Sequence, residues 1–281
     1  MTRRKLEKSI HTDLSRDDDY TAYLQLDKLL GAQLPLSDPP HHDEMLFIIQ
    51  HQVAELWIKL LIHEVDKAAD FIREDKMPPA VKNLARVRHI QSQLYNQWNV
   101  LDTLTPSEYA EFRSVFGRAS GFQSAQYRIL EFRLGNKNSS VMKVYAHQTE
   151  WHEKLQQALR APSIYEEFLR YLSRQGLPIP ERVIERDFST QRDDDDEVVA
   201  ALKIIYENPD RYWTEYETCE AFMDIANNFQ FWRFHHLKTV ERIIGHKRGT
   251  GGSSGVAFLK KAIEVDFYPE LIRVRTEIGD L

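Results

Sequence analysis

An all-α bundle is the fold class this sequence predicts, and three observations predict it. Apolar residues recur at three- and four-residue spacing over long stretches, at 44 to 72, 80 to 104 and 197 to 245. No run of strictly alternating apolar and polar residues marks a strand, and no internal repeat divides the chain. The breaks between periodic stretches carry helix-ending residues, "MPP" at 77 to 79 and "NPD" at 208 to 210. With 281 residues, 42% of them hydrophobic, the chain can bury a sizeable core as one domain over 1 to 281. About 1 to 18 reads as an N-terminal arm, and about 174 to 197 as a surface excursion.

The first long element, 44 to 72, places apolar side chains at 46, 49, 53, 56, 57, 60 and 68, with a second line through Phe47, Ala54, Ile58, Leu61 and Val65. Two apolar faces leave only a strip of Gln52, Glu55, Lys59, Asp66 and Asp70, so this helix should be interior or touch a partner or cofactor. "HHDE" before it reads as loop, with Asp43 as the cap. The stretch 80 to 104 follows, and "TPSE" then starts a third helix near 106, with Thr105 at the N-cap, Pro106 at N1 and Glu108 at N3. Helices are also predicted over 123 to 134 and over 163 to 173, the latter capped by Ser163 or the residue before it. "DDDD" at 193 to 196 reads as solvated loop ahead of a helix whose dipole it suits; a calcium loop would need regular oxygen spacing and a turn glycine.

Charge and cysteine content exclude several classes. A net charge of -6 with 37 basic residues scattered among 43 acidic ones gives no broad basic surface for nucleic acid. The lone Cys219 makes no internal disulfide, and "MTRRKLEKSI" lacks a signal's apolar core, so a cytoplasmic protein is expected. No apolar run approaches the roughly 20 residues that span a bilayer, which excludes membrane insertion.

The histidine-rich "HHDEMLFIIQH", 41 to 51, raises the question of a metal. No glutamate has a histidine three residues on, as a di-iron bundle requires, and "HEVDK" and "HEKLQ" lack the second histidine of a zincin. His51, at the border of the second apolar face, reads either as a core histidine satisfied by a carbonyl or as a functional one. Phe222, Ala226, Phe229, Trp232, His236, Val240 and Ile243 share one stripe, with His235 turned toward the polar side. A histidine centred on such a stripe is costly to bury unless its nitrogens are bonded. An iron porphyrin would supply one of those bonds, which makes His236 the best ligand candidate. "GTGGSSG" at 249 to 255 is either a linker or a lid closing backbone N–H groups and hydroxyls over a polar ligand. Tyr109 and Arg113 share a helix face; Arg113 is either half of an exposed salt bridge or a bidentate carboxylate clamp.

Five segments, "HHDEMLFIIQHQVAELWIKLLIHE", "LTPSEYAEFR", "SGFQSAQYR", "FWRFHHLKTVERIIG" and "KRGTGGSSGVAFL", closely resemble the tryptophan 2,3-dioxygenase family in the same order. The likeness runs from "IHTDL" at 10 to "PELIRVRT" ending at 276. It implies an all-α bundle enclosing heme b, one iron protoporphyrin IX per subunit, with His236 as the proximal ligand and Trp98 and Ser120 near the haem. It implies L-tryptophan and O2 as substrates, both oxygen atoms entering as the indole C2–C3 bond opens to N-formyl-L-kynurenine. His51 is then the catalytic residue on the distal side, accepting the indole N–H, with Phe47, Ile48, Ile49 and Gln50 of the same motif in the substrate pocket. Arg113 and Tyr109 would meet the substrate carboxylate, and Thr250 its amino-acid end. "YTAYLQLDKLL" matches a family segment exchanged between subunits, so Tyr20, Tyr23 and Leu24 are expected to complete a neighbour's site in a homotetramer, a dimer of dimers. A broader indoleamine-type dioxygenase or a non-catalytic haem sensor are the alternatives. "RSVFGRAS" and 180 to 197 depart from the family's motifs and bear on surface features only.

Overall fold

The structure, a computed structural model, describes residues 6–13 and 19–279. The remainder of the expected N-terminal arm, 1–5 and 14–18, lies outside the described residues, which form helices joined by short turns with no strand among them. In chain order they are α1 (Tyr20–Leu24), α2 (Leu26–Leu30), α3 (His42–Arg73), α4 (Met77–Asn96), α5 (Trp98–Leu101), α6 (Pro106–Phe112), α7 (Ala125–Leu134), α8 (Thr149–Arg160), α9 (Ile164–Arg174), α10 (Glu181–Ile184), α11 (Asp196–Glu207), α12 (Trp213–Ile244), α13 (Val256–Ile263) and α14 (Pro269–Glu277). Short 3-10 turns lie at Arg113–Phe116, Gly121–Gln123 and Ser139–Tyr145.

The two 32-residue helices, α3 and α12, are the frame. α3 packs on α4, α7 and α9, and α4 packs on α12. Ile58, Leu61, Val65, Ala68 and Ile72 form the inner face of α3, meeting Leu84, Val87 and Leu94 of α4 and Phe222, Ile225 and Phe229 of α12 in one core. This decides what the sequence left open, which apolar line of α3 faces the core. The line through Phe47, Ile58, Leu61 and Val65 is the inward one, whereas Ile49 and Leu56 of the other line are exposed. The polar strip is bonded to neighbours: Gln33 donates to Gln52 at 2.6 Å, Gln126 to Glu55 at 2.8 Å, and Arg133 pairs with Asp66 at 2.6 Å.

Among the described residues, α3 is also long and apolar enough to cross a membrane by length and composition, contrary to the sequence estimate. Its bonded strip and the buried Glu44 and Glu64 make it the axis of this bundle.

Local signals account for most boundaries. Thr105 and Glu108 form a reciprocal capping box on α6, and Ser163 and Glu166 form another on α9. Pro78 and Pro79 open α4, their missing N–H groups falling where no helical partner exists. α3 begins two residues earlier than Asp43 as cap would allow: His41 is the N-cap, its Nδ1 accepting from the Asp43 N–H, and its Nε2 lies 2.8 Å from Glu111. "HHDE" is therefore cap and first turn, not loop. Asp195 caps α11 as the dipole reading requires, but the acidic run is ion-paired, Asp194 and Asp196 to Arg273 and Asp195 to Arg182. Nor is 174 to 197 only a surface excursion, because Leu177, Ile179 and Val183 are buried in the main core.

One buried polar hub sits inside this apolar frame. Arg233 of α12 is 4% exposed and donates to Glu131 at 2.9 Å, to the Tyr127 hydroxyl at 3.2 Å and to the Val265 carbonyl at 3.1 Å. Its guanidinium lies between the Phe229 and Phe267 rings. A charge buried this deeply is tolerable because every side of it is bonded or stacked, and the bonds fix α12 against α7.

Leu84→Ala should cost about 2–5 kcal/mol of stability, since Leu84 is fully buried between the long helices. Thr105→Ala should cost about 1 kcal/mol, one N-cap on an exposed helix. Urea unfolding of both variants checks the ranking, and equal losses would contradict it.

Candidate functional site

The N-terminal third of α3 meets α6 and the turn after it. The Phe47 ring lies 4.1 Å from that of His51, one helical turn on, and stacks on Phe116 at 4.5 Å. Tyr109 and Phe112 close the same aromatic patch at 5.9 and 6.1 Å from Phe47. His51 Nδ1 lies 2.7 Å from the Phe47 carbonyl, which can only accept, so Nδ1 carries the proton and Nε2 keeps its lone pair. Burial lowers the pKa of His51, opposed by that hydrogen bond and by Glu55. The result is a neutral imidazole whose free nitrogen is an acceptor.

The middle of α12 supplies the second imidazole. The His236 ring lies flat on Trp98 of α5, with centroids 4.7 Å apart and planes 10° apart, and Trp232 stands 5.9 Å away. Trp98, Trp232, Phe47, Tyr109, Phe112 and Ile243 belong to one apolar cluster. Burial first, and charge on His51 second, push the His236 pKa down to about 4, so the two rings are within electrostatic reach of each other. Among the described residues neither nitrogen of His236 has a hydrogen-bond partner.

The glycine-rich loop forms the third side. Thr250 donates its hydroxyl proton to the Ala119 carbonyl, and Arg113 donates to the Arg248 carbonyl at 2.6 Å. Gly251 passes so close to Ser120 that a Cβ there would fall 2.6 Å from the Ser120 Cβ, so only glycine permits this approach. Arg113, Ser120 and Thr250 are thereby assembled from three separate segments. The loop is a docked structure rather than a free linker.

Other expected site residues lie apart. Ile49 is 44% exposed within this single chain and projects from the side of α3 opposite Phe47 and His51. Gln50 is buried with its amide nitrogen unpartnered among the described residues, and Ile48 is half-buried outside the aromatic patch. Tyr20, Tyr23 and Leu24 are on α1, exposed at 74%, 84% and 40% within this single chain. Phe116 is the residue that sequence reasoning missed. It belongs to "RSVFGRAS", read as a surface departure, yet it stacks on Phe47; the only signal was its apolar character three residues after Arg113.

Against known proteins, the profile of the family described as tryptophan 2,3-dioxygenase matches residues 6–278. The chain belongs to the tryptophan 2,3-dioxygenase family. It is 54% identical to a tryptophan 2,3-dioxygenase of Serratia proteamaculans (strain 568) over 279 residues, covering 99% of this chain and 100% of the relative. The family's relatives in Kineococcus radiotolerans and in Arthrobacter sp. (strain FB24) are 54% and 55% identical over 276 residues, covering 98% of this chain and 96% and 97% of theirs.

The lowered pKa of His236 fixes the sign of a pH effect. Between about pH 4 and the ordinary value near 6.5 the unfolded chain binds a proton at this position that the folded chain does not. Stability should therefore rise with pH through that window and be lost as pH falls from 6.5 toward 4. Urea midpoints of the protein, compared with His236→Asn, should show the slope reduced in the variant; identical slopes would contradict the assignment. Gly251→Ala should separate the loop from Ser120, detectable as faster proteolysis at 248 to 255 than in the parent.

Proposed function

We propose that this chain, in keeping with its family, is a haem-dependent dioxygenase that inserts both atoms of O2 into L-tryptophan, cleaving the indole C2–C3 bond to give N-formyl-L-kynurenine. The observation that carries the reading is the pair of imidazoles, His51 and His236, both with lowered pKa, within electrostatic reach of each other and each against rings of one aromatic cluster.

The residues present fit a haem. His236 is half-buried, its nitrogens have no partner among the described residues, and its low pKa leaves a lone pair free of competition from protons at neutral pH. It would hold the iron of heme b, one per subunit, with Trp98 and Ser120 beside the group. When bound, the haem supplies the oxygen chemistry, and the protein contributes binding, orientation and exclusion of water.

On the substrate side, His51 Nε2 accepts the indole N–H, and Phe47 with Phe116 packs the ring. Arg113 pairs with the carboxylate, with Tyr109 alongside, and Thr250 bonds the amino-acid end. The loop carrying Thr250 covers that end and keeps water out. The indole N–H is far too weak an acid for a neutral imidazole to deprotonate, so His51 positions rather than acts as a base. Holding the indole by one hydrogen bond and the carboxylate by a charged one converts an encounter into an oriented complex.

The exposed Tyr20, Tyr23 and Leu24, together with the uncovered Met45, Ile49 and Leu56 of α3, support an assembly in which the N-terminal segment completes a neighbour's pocket, in a cytoplasmic homotetramer of one-domain subunits. Ile48, Ile49 and Gln50 then act through the shape of that shared wall rather than by direct contact within the chain.

Purified protein supplied with haem, reductant, air and L-tryptophan should show a haem absorption band and accumulate product. His51→Ser should lower turnover partially, whereas His236→Ala should abolish it. Equal loss in the two variants contradicts a positioning role for His51, and haem binding without ring cleavage contradicts the enzyme.

A further inference from the structure

α12 carries His235 directly before His236. Its Nε2 lies 2.9 Å from the Asp102 carboxylate, and both side chains are largely buried, 14% and 28% exposed. Asp102 is the residue after α5, and its backbone N–H donates to the Trp98 carbonyl at 2.8 Å. Trp98 in turn stacks on His236. The contacts therefore close a circuit, from His235 to Asp102, from Asp102 to Trp98, from Trp98 to His236, and along the α12 backbone to the start.

Consecutive helix residues point about 100° apart, so this one turn grips α12 from two directions and resists both its rotation and its sliding. The Tyr95 ring, 4.8 Å from that of His235, and the Thr239 hydroxyl, bonded to the His235 carbonyl at 3.0 Å, brace the same point. His235 Nδ1 and Asp102 Oδ1 are buried with no partner among the described residues. The Nε2 to Oδ2 bond is thus the side-chain attachment on which each depends, and deleting either strands the other.

We propose that Asp102 and His235 are a positioning pair for haem: their hydrogen bond keeps the Trp98 indole flat on the His236 imidazole and so sets the plane in which that ring meets the iron. The inference rests on the haem reading of His236. Neither residue touches substrate or haem iron in this account. The pair acts through Trp98, much as a group bonded behind a metal-bound histidine orients the ligand ring.

The test compares haem-loaded wild type with Asp102→Ala, Asp102→Asn and His235→Phe, the last keeping an aromatic ring against Tyr95. Three quantities are read: the rate of haem transfer to excess apomyoglobin, the iron–histidine stretching band in the ferrous protein, and the urea midpoint of the haem-free protein. Asp102→Ala and His235→Phe should each release haem about ten-fold faster, with the double variant no faster than either, and with the stretching band shifted. Asp102→Asn keeps an acceptor for the Nε2–H and should restore both readouts. Unchanged release and band position in both single variants overturn the pair, as does an Asp102→Asn protein as defective as Asp102→Ala. A variant whose release changes only in step with its urea midpoint, with the band unmoved, also overturns it in favour of a purely structural role. Wild-type protein that takes up no haem overturns the underlying reading instead.

Discussion

His236 stands half-buried against the Trp98 and Trp232 rings, with no hydrogen bond to either nitrogen among the described residues. Burial denies this imidazole its proton, so near neutral pH its ring presents a lone pair. Such a residue is stable in place only because what surrounds it is held rigidly. α12 is fixed to α7 through Arg233 and Glu131, to α5 through His235 and Asp102, and to α4 by apolar packing. The frame holds the ring in place, and its lone pair is left for a ligand.

His51 is the counterpart with a different electrostatic history. It too is neutral, but one nitrogen is committed to the Phe47 carbonyl a turn earlier, so it offers a single acceptor in a single direction. That asymmetry separates the roles: an unpartnered imidazole suits a metal, and a half-satisfied one suits an N–H. α3 places Phe47 on the same face one turn away, and α6 brings Tyr109 and Arg113 to it by means of one capping box. The distance between the aromatic patch and the docked glycine loop is thus set by two helices and a cap, and the loop's own position by the fit of Gly251 against Ser120.

The sequence made the long helices, their proline breaks and the Thr105–Glu108 cap legible, since each is written in residues within a few positions of one another, but α8, α13 and α14 were not read and 80 to 104 splits into α4 and α5. His236 was legible because its stripe is uniformly apolar and aromatic. Harder to read was which face of α3 points inward: both are apolar, and only neighbours distant in sequence, Leu84, Phe168 and Phe222 among them, decide between them. Phe116 was not legible, because a lone aromatic in a 3-10 turn has no periodic signature. The His41 cap escaped for a different reason, histidine being a rare cap beside the commoner aspartate at 43. Leu177, Ile179 and Val183 were hidden by the prolines and glycine around them, which announce a turn but not whether the turn is buried.

In the proposed reading, Phe47 stacked on Phe116 packs the indole, His51 orients it and Arg113 holds the carboxylate, which would bring the indole ring and O2 together in one oriented complex. Mass spectrometry of the product formed from L-tryptophan under 18O2 tests that most directly. Both heavy oxygen atoms appearing in N-formyl-L-kynurenine is the expected result. Product carrying only one heavy oxygen, or none, would contradict the account.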